Sequence, residues 1–386
     1  MNYKLASPIQ EQAIPHILSG KDVIAIAQTG TGKTAAFMLP VLHKIMENGH
    51  HSHTQALVIV PTRELALQID QAVQGYSYFT GANSIAVYGG GDGNDFTREQ
   101  QAIARGVDII IATPGKLITH LNAGQLKLNK LRFLVLDEAD RMLDMGFQPD
   151  LLRIISAIND DRQTLMFSAT MPDAIARMAK MYMKDPVRVS IARAKPAAGV
   201  KQGAYVVNAD QKLPLIADLL SDPARRDQIV VVFCSRKDGV TALYQKLKQA
   251  RFNVARISSD LLQEEREEVL QNFRSRKLNV LVATDVISRG IDIDNIDLVV
   301  NYDVPRDADD YVHRVGRTAR AAKMGEAITL IGTSEQRAFA RIEELIEMEV
   351  EKLPVPAHLG PVPAYKGERG EKPVNRHKKS GFRRKR

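Results

Sequence analysis

The 386-residue chain has no tryptophan, only 5% aromatic residues and a single cysteine. One cysteine excludes an internal disulfide and fits a reducing compartment. That residue, Cys234, ends the apolar run VVVFC, where a core role is favoured over a nucleophilic one. Long hydrophobic stretches are missing too. No run reaches the roughly eighteen apolar residues of a membrane helix, and the opening MNYKLASPIQ lacks the charged-then-apolar order of a secretion signal. A cytoplasmic protein without membrane association is expected. With 44% hydrophobic residues, the length exceeds one compact unit of ordinary size and suggests two domains with full cores.

Acidic residues are the scarcer charged class, giving a net charge of +8, but the imbalance is local. Residues 366–386 (KGERGEKPVNRHKKSGFRRKR) hold ten Lys or Arg against two Glu, leaving 43 of each sign in residues 1–365. This tail is poor in apolar residues and broken by Gly and Pro, so disorder is expected. It reads either as a solubilising end or as a polybasic arm for nucleic-acid phosphates. The aromatic among cations in FRRKR favours the arm.

The chain is organised around VIAIAQTGTGKTAAF, Val23 to Phe37. An apolar run reads as a buried strand, the small residues from Ala27 to Gly32 as a tight loop, and Thr34 onward as a helix. Glycines let backbone N–H groups face an anion, the helix start adds its positive dipole end, and Lys33 and Thr34 can supply an ammonium and a Mg²⁺-binding hydroxyl. Thr29, Gly30, Thr31 and Gly32 complete this phosphate cradle, with Ala27 where the common pattern has its first glycine.

Near-continuous apolar runs follow: ALVIVPT, SIAVYGG, VDIIIATPG, FLVLDEAD and QTLMFSAT. Such runs indicate strands buried on both faces of a parallel sheet, and each ends in polar or small residues, which predicts one functional edge. IARAKPAAGVKQ breaks the pattern and reads as a linker. A second series, QGAYVV, QIVVVFCS, FNVARIS, NVLVATD, DLVVNYD and EAITLIG, repeats the architecture without a GKT loop. In FLVLDEAD, Asp137 can hold Mg²⁺ through its shell, and Glu138 can orient and deprotonate a water. An adjacent acidic pair alone is commonly a solvated turn, but with the GKT loop upstream it points to nucleoside triphosphate hydrolysis. His50, His51 and His53 have no acid or cysteine beside them and carry no metal reading. Met142, Met145, Met178, Met181 and Met183 read as helix packing.

TGTGKT, PTRELALQ (Pro61–Gln68), TPGKL (Thr113–Leu117), DEAD (Asp137–Asp140), SAT (Ser168–Thr170), ATDVISRGIDI (Ala283–Ile293) and HRVGRTAR (His313–Arg320) occur in the order and spacing of DEAD-box ATP-dependent RNA helicases. The resemblance covers residues 3–335, and LDEADRMLDMGF looks most like the bacterial RhlE-type subgroup. It implies an α/β fold of two tandem RecA-like domains with parallel sheets. The bounds would be 1–191 and 203–355, joined by a linker at 192–202 and followed by a disordered basic tail at 356–386.

The family pattern gives Gln10 the reading of adenine, although a polar residue opening a helix is the simpler account of its type. The aromatic usually found further upstream has no counterpart before Met1, so a shortened chain or a weaker adenine grip is expected. By the same resemblance Arg317 and Arg320 are arginine fingers for the γ-phosphate. Arg314, Arg317 and Arg320 also have a spacing that plain surface helices show. Ser168, Thr170, Asp140 and His313 would couple nucleotide state to domain closure, and Gln263 and Arg266 keep an interdomain Q-x-x-R pair.

Arg63, Gly89, Gly90, Thr113, Gly115, Thr284 and Arg289 would contact RNA, types that approach phosphates without reading bases. Asp292 matches a nucleic-acid position, where it can accept from a ribose 2′-OH, the group that marks RNA, and it is also grouped with the ATP-binding residues. Lys116 stands where Arg is usual, Ser258 and Ser259 where His-Gly is common, and Ala319 replaces a glycine of HRxGRxGR. The implied activity is RNA-stimulated ATP hydrolysis with local unwinding of short duplexes, using ATP and Mg²⁺, in a monomer. An ATP-gated RNA clamp is the alternative. Ribosome-assembly or RNA-decay proteins are the partners to expect, and no residue names one.

Overall fold

The computed structural model describes residues 5–27, 30–48, 53–90, 93–124, 126, 128–191, 199–258, 260–284, 296–305, 308–318 and 325–367. By internal contacts the chain divides into two compact units, 1–198 with 256–278 and 283–295, and 199–255 with 279–282 and 296–386.

The first sheet is built from β1 (Val23–Ile26), β2 (Ala56–Ile59), β3 (Ser84–Val87), β4 (Ile109–Ala112), β5 (Phe133–Leu136), β6 (Gln163–Ser168) and β7 (Val187–Ser190). The helices among them are α1 (Pro8–Leu18), α2 (Lys33–Asn48), α3 (Arg63–Ser77), α4 (Gly93–Arg105), α5 (Pro114–Asn122), α6 (Ala139–Asp144), α7 (Gln148–Ser156) and α8 (Asp173–Tyr182). Strand order is β3-β4-β2-β5-β6-β1-β7, with parallel pairings throughout the register: Val58 lies beside Ile111 and Val135, and Ile24 beside Met166.

Both faces of this sheet are dry, which explains the unbroken apolar runs. Successive side chains alternate faces: Val23 and Ala25, Val58, Ile109 and Ile111, and Val135 enter one core cluster, while Ile24, Leu57 and Ile59, Ile110, and Leu134 enter the other. Burying each Val, Leu or Ile contributes about 1.5–3 kcal/mol. A polar residue at any of these positions would therefore weaken the frame that holds the functional edge.

The second sheet comprises β8 (Val200–Val206), β9 (Val230–Phe233), β10 (Val254–Ile257), β11 (Val280–Ala283), β12 (Leu298–Asn301), β13 (Gly325–Ile331) and β14 (Glu351–Lys352). Its helices are α9 (Lys212–Ser221), α10 (Lys237–Gln249), α11 (Gln263–Arg274), α12 (Ala308–Val315) and α13 (Gln336–Leu345). Its order, β10-β11-β9-β12-β13-β8-β14, repeats that of the first sheet strand for strand. The architecture is duplicated, as the second apolar series suggests.

Several boundaries differ from the sequence reading. Residues 200–202, expected in the linker, open β8 and pair with β13. The edge strands β7 and β14 have no counterpart among the apolar runs, because an edge strand of four or two residues has one neighbour and needs little apolar surface. The second domain does not stop at 355. Gln211 Nε2 donates to the carbonyls of Leu359 and Pro361, at 2.7 and 3.0 Å. Gln336 Nε2 donates to Ala364 O at 3.0 Å, and Tyr365 Oη to Glu343 Oε2 at 2.7 Å. Residues 356–367 are thus bonded to the second unit, and the expected disordered tail lies outside the described residues from 368 on.

Met142, Met178 and Met183 pack in the core as expected, whereas Met145 and Met181 are exposed. Cys234 is fully buried. Among the described residues no helix is long and apolar enough to cross a membrane.

Candidate nucleotide and nucleic-acid site

The carboxyl ends of β1, β5 and β6, neighbours in the sheet, carry one group of the expected residues. α2 starts at Lys33, directly after a loop in which Gly30 and Gly32 have φ of 81° and 90°. Those left-handed values suit glycine. At Gly32 a Cβ would also lie 2.5 Å from Gln10 Nε2. Lys33 is buried, its ammonium donating to Ala27 O at 3.0 Å. Gln28 and Thr29 lie outside the described residues.

Gln10 takes the helix-start role that its type allowed, with a second bond beyond it. Its Oε1 accepts from Ser7 N at 3.0 Å, satisfying that backbone donor at the start of α1, and its Nε2 donates to Gly32 O at 3.1 Å. One amide therefore caps a helix and ties it to the phosphate loop.

β5 delivers Asp137 and Glu138, which are 3% and 8% exposed. Burial pushes the Asp137 carboxyl up to about 6, with the nearby Lys33 ammonium opposing and the Glu138 carboxylate reinforcing the rise. A carboxylate this buried and short of counter-charge suits a divalent cation. Glu138 adopts the left-handed conformation, φ 50°, held by its own N–H on Asp137 Oδ1 at 2.9 Å. Such backbone costs about 1–3 kcal/mol and persists where surroundings enforce it. Its side chain pairs with Arg141, 3.2 Å away.

Asp140 joins the DEAD and SAT segments. Its Oδ2 accepts from the backbone of Ala169 and Thr170, at 3.2 and 2.8 Å, and from Thr170 Oγ1 at 2.8 Å. Its own N–H donates to Ser168 Oγ at 3.3 Å. Without the family pattern Ser168 and Thr170 read as turn residues; in the structure they are bonded to the acid that follows the candidate base.

The carboxyl ends of β2, β4 and β3 form the adjoining half of the same edge. Arg63 begins α3, where Thr62 Oγ1 accepts from Leu65 N at 3.3 Å. Its guanidinium lies 4.4 Å from the Tyr88 ring centre, and its Nη1 is 3.6 Å from where a Cβ on Gly90 would sit. Gly90 has φ of 93° and, with Gly89, follows β3. Thr113 stands at the N-cap position of α5 without a side-chain capping bond, its N–H donating to Val87 O at 3.0 Å, and Gly115 lies in the first turn. Arg63, Gly89, Gly90, Thr113 and Gly115 are thereby brought onto three adjacent strand ends.

In the second unit the structure gives Arg314 and Arg317 different settings. Arg314 is buried, donating to Asn301 Oδ1 and Asp303 O at 3.0 and 3.1 Å over the Phe233 ring, so it serves the fold. His313 lies beside it in the last turn of α12, and Arg317 follows in a turn, its N–H donating to Arg314 O. Arg320, Arg289 and Asp292 lie outside the described residues. Gln263 and Arg266 are on α11, and Thr284 follows β11. Ser258 is fully buried, its hydroxyl donating to Asp260 and accepting from Arg256 at 3.1 Å. Among the described residues no cluster of metal-ligating side chains occurs.

Sequence reasoning missed Arg141, Glu99 and His120. The last two are buried and bonded at 2.8 Å. Isolated polar residues inside amphipathic helices give no signal of which partner they will meet.

Comparison with known proteins agrees with this geometry. The DEAD/DEAH box helicase family model matches residues 7–178, and that of the helicase conserved C-terminal domain matches 211–322. The ATP-dependent RNA helicase CshA of Listeria monocytogenes is 41% identical over 92% of this chain and 67% of its own length. The ATP-dependent RNA helicase DeaD of Haemophilus influenzae is 38% identical over 93% and 58%. The chain therefore spans about two thirds or less of these relatives. Among solved structures, S. cerevisiae Dbp5 bound to RNA and ADP BeF3 superposes with a TM-score of 0.82 at 30% identity, covering 93% of this chain and 92% of that one.

Proposed function

This chain belongs to the DEAD/DEAH box helicase family, and we propose that it is an RNA-stimulated ATPase that locally unwinds or remodels short RNA duplexes or ribonucleoproteins. The observation that carries the proposal is the shared edge. Lys33, Asp137, Glu138 and the Asp140–Thr170 link follow the ends of β1, β5 and β6, beside Arg63, Gly90 and Thr113 in the segments that follow β2, β3 and β4.

In this reading Gln10 holds adenine, and the loop from Thr29 to Thr34 surrounds the phosphates with Lys33 offsetting their charge. Asp137 and Thr34 would hold Mg²⁺ largely through water, and the ion would supply further charge compensation at the phosphates. Glu138 orients a water and takes its proton as the water oxygen attacks the γ-phosphorus; the bond to the bridging oxygen breaks, giving ADP and phosphate. Arg317 and Arg320 are assigned the γ-phosphate on the motif HRVGRTAR, a role worth about 10³–10⁵ in rate in other phosphoryl-transfer enzymes. His313, Gln263 and Arg266 are assigned to coupling, and Thr284 and Arg289 to the RNA backbone. Asp292 is assigned to a ribose hydroxyl of the nucleotide.

Recognition through backbone rather than base edges makes binding sequence-tolerant. The wording LDEADRMLDMGF supports an RhlE-type member, and the single cysteine supports a cytoplasmic setting. The test is ATP turnover alone, with single-stranded RNA, and with DNA of equal length. RNA should raise turnover and DNA should not; no response to RNA, or an equal response to DNA, would make the assignment wrong.

A further inference from the structure

α4 and α5 each follow one of the turns assigned to RNA. α4 begins three residues after Gly90, and α5 begins directly after Thr113. Between these helices lies a polar cluster that the proposed mechanism does not use. Glu99 of α4 has 8% of its side chain exposed, His120 of α5 none and Lys116 of α5 13%. One oxygen, Glu99 Oε2, is shared by His120 Nε2 at 2.8 Å and Lys116 Nζ at 3.1 Å. The Phe96 ring stacks on His120, centres 4.6 Å apart, and lies 5.2 Å from the Lys116 ammonium.

A cation in the first turn of α5, beside Gly115, has the obvious role of neutralising a backbone phosphate. The geometry opposes that role here. The ammonium is turned onto a buried carboxylate and an aromatic face, and a charge-assisted bond in such a site is stronger than its surface equivalent. Resting on the RNA reading above, we propose that Lys116 is a brace and not a phosphate ligand. Glu99 clamps it together with His120, which fixes α4 to α5 and sets the spacing of the Gly89–Gly90 and Thr113–Gly115 turns. Glu99 and Lys116 are then positioning residues for RNA. A lysine suffices where an arginine fork is usual because the acceptor is one shared oxygen, not a bidentate pair.

The experiment compares wild type, Glu99→Gln, Lys116→Met and the double variant. RNA affinity is measured by fluorescence anisotropy on a labelled single strand across a salt series. Glu99→Gln leaves the largely covered Lys116 ammonium without its counter-charge, and Lys116→Met does the converse. Each should weaken RNA binding about fivefold, and the double variant should lose less than the two losses combined, because neither charge is then stranded. The slope of log affinity against log salt should stay at the wild-type value in all four proteins, and the basal ATPase of Glu99→Gln should be unchanged.

A lost phosphate contact would instead flatten the slope by about 0.7 in Lys116→Met. That result, with Glu99→Gln binding normally, would overturn the brace, as would normal binding by both single variants. Hydrogen exchange without RNA separates this idea from the RNA reading itself. Amides at 88–90 and 113–117 should exchange several-fold faster in Glu99→Gln, and unchanged exchange refutes the brace even if wild type fails to bind RNA.

Discussion

Replacing Asp137 by asparagine should stabilise the protein while removing its activity. Asp137 is 3% exposed, and burial moves its carboxyl from 3.8 to about 6. Between those values the folded state binds a proton that the unfolded state has released, so the stability of metal-free protein falls as pH rises and the loss is complete above about pH 7. The gap corresponds to ~3 kcal/mol at pH 8, and to about half of that at pH 5. Asparagine mimics the protonated acid, keeps an oxygen for the Glu138 N–H, and does not titrate. In EDTA, without nucleotide, Asp137→Asn should therefore melt ~6–12 °C above wild type at pH 8 for a domain of this size, and the difference should shrink at pH 5. Saturating Mg²⁺ and ATP should reverse the order, because only wild type gains the ligand's stabilisation. The assay is thermal melting by circular dichroism at both pH values with and without ligand. An unchanged or lower melting point for the variant at pH 8 would refute the reasoning, since it would mean that Lys33 fully compensates the buried charge.

Three other substitutions test separate steps. Glu138→Gln should retain ATP and RNA binding but lower turnover about 10²–10⁴-fold, as loss of a general base does; normal turnover by phosphate release would remove Glu138 from that role. Gly32→Ala forces a side chain into the left-handed region and to within 2.5 Å of Gln10 Nε2, so nucleotide affinity by fluorescent-analogue titration should fall at least tenfold with the melting point of the second unit unchanged. Deleting residues 368–386, beyond the Lys366 N–H bond to Gln336, should weaken RNA binding and flatten its salt dependence while the basal ATPase stays constant. Equal affinity would make the tail a solubilising end.

Much of the site was legible because its chemistry is local in sequence. The strand, glycine turn and helix around Lys33 follow from composition over fifteen residues, and an apolar run ending in Asp137 and Glu138 announces a buried strand that delivers two acids to an edge. Gln10 shows the limit. Its type and position fit an ordinary helix start, and a helix start it is; that its amide nitrogen reaches Gly32 O, 22 residues away, depends on how α1 packs against α2. Asp140 is similar, since a carboxylate after a candidate base cannot declare that it will bind the backbone of residues 169 and 170.

The sequence alone determined the two α/β series, the parallel character of their sheets, the nucleotide cradle and the local basic excess at 366–386. Each follows from periodicity, turn chemistry or charge within a short window. Tertiary structure decided the strand order, which places β2, β3 and β4 beside β5, β6 and β1 and so joins the residues proposed for the RNA backbone to those proposed for the nucleotide. It also decided that Arg314 is a buried scaffold residue, that 356–367 are tied to the second unit, and that Glu99, Lys116 and His120 share one oxygen. These outcomes depend on which distant segments exclude water together, and burial between segments leaves no signature in either one alone.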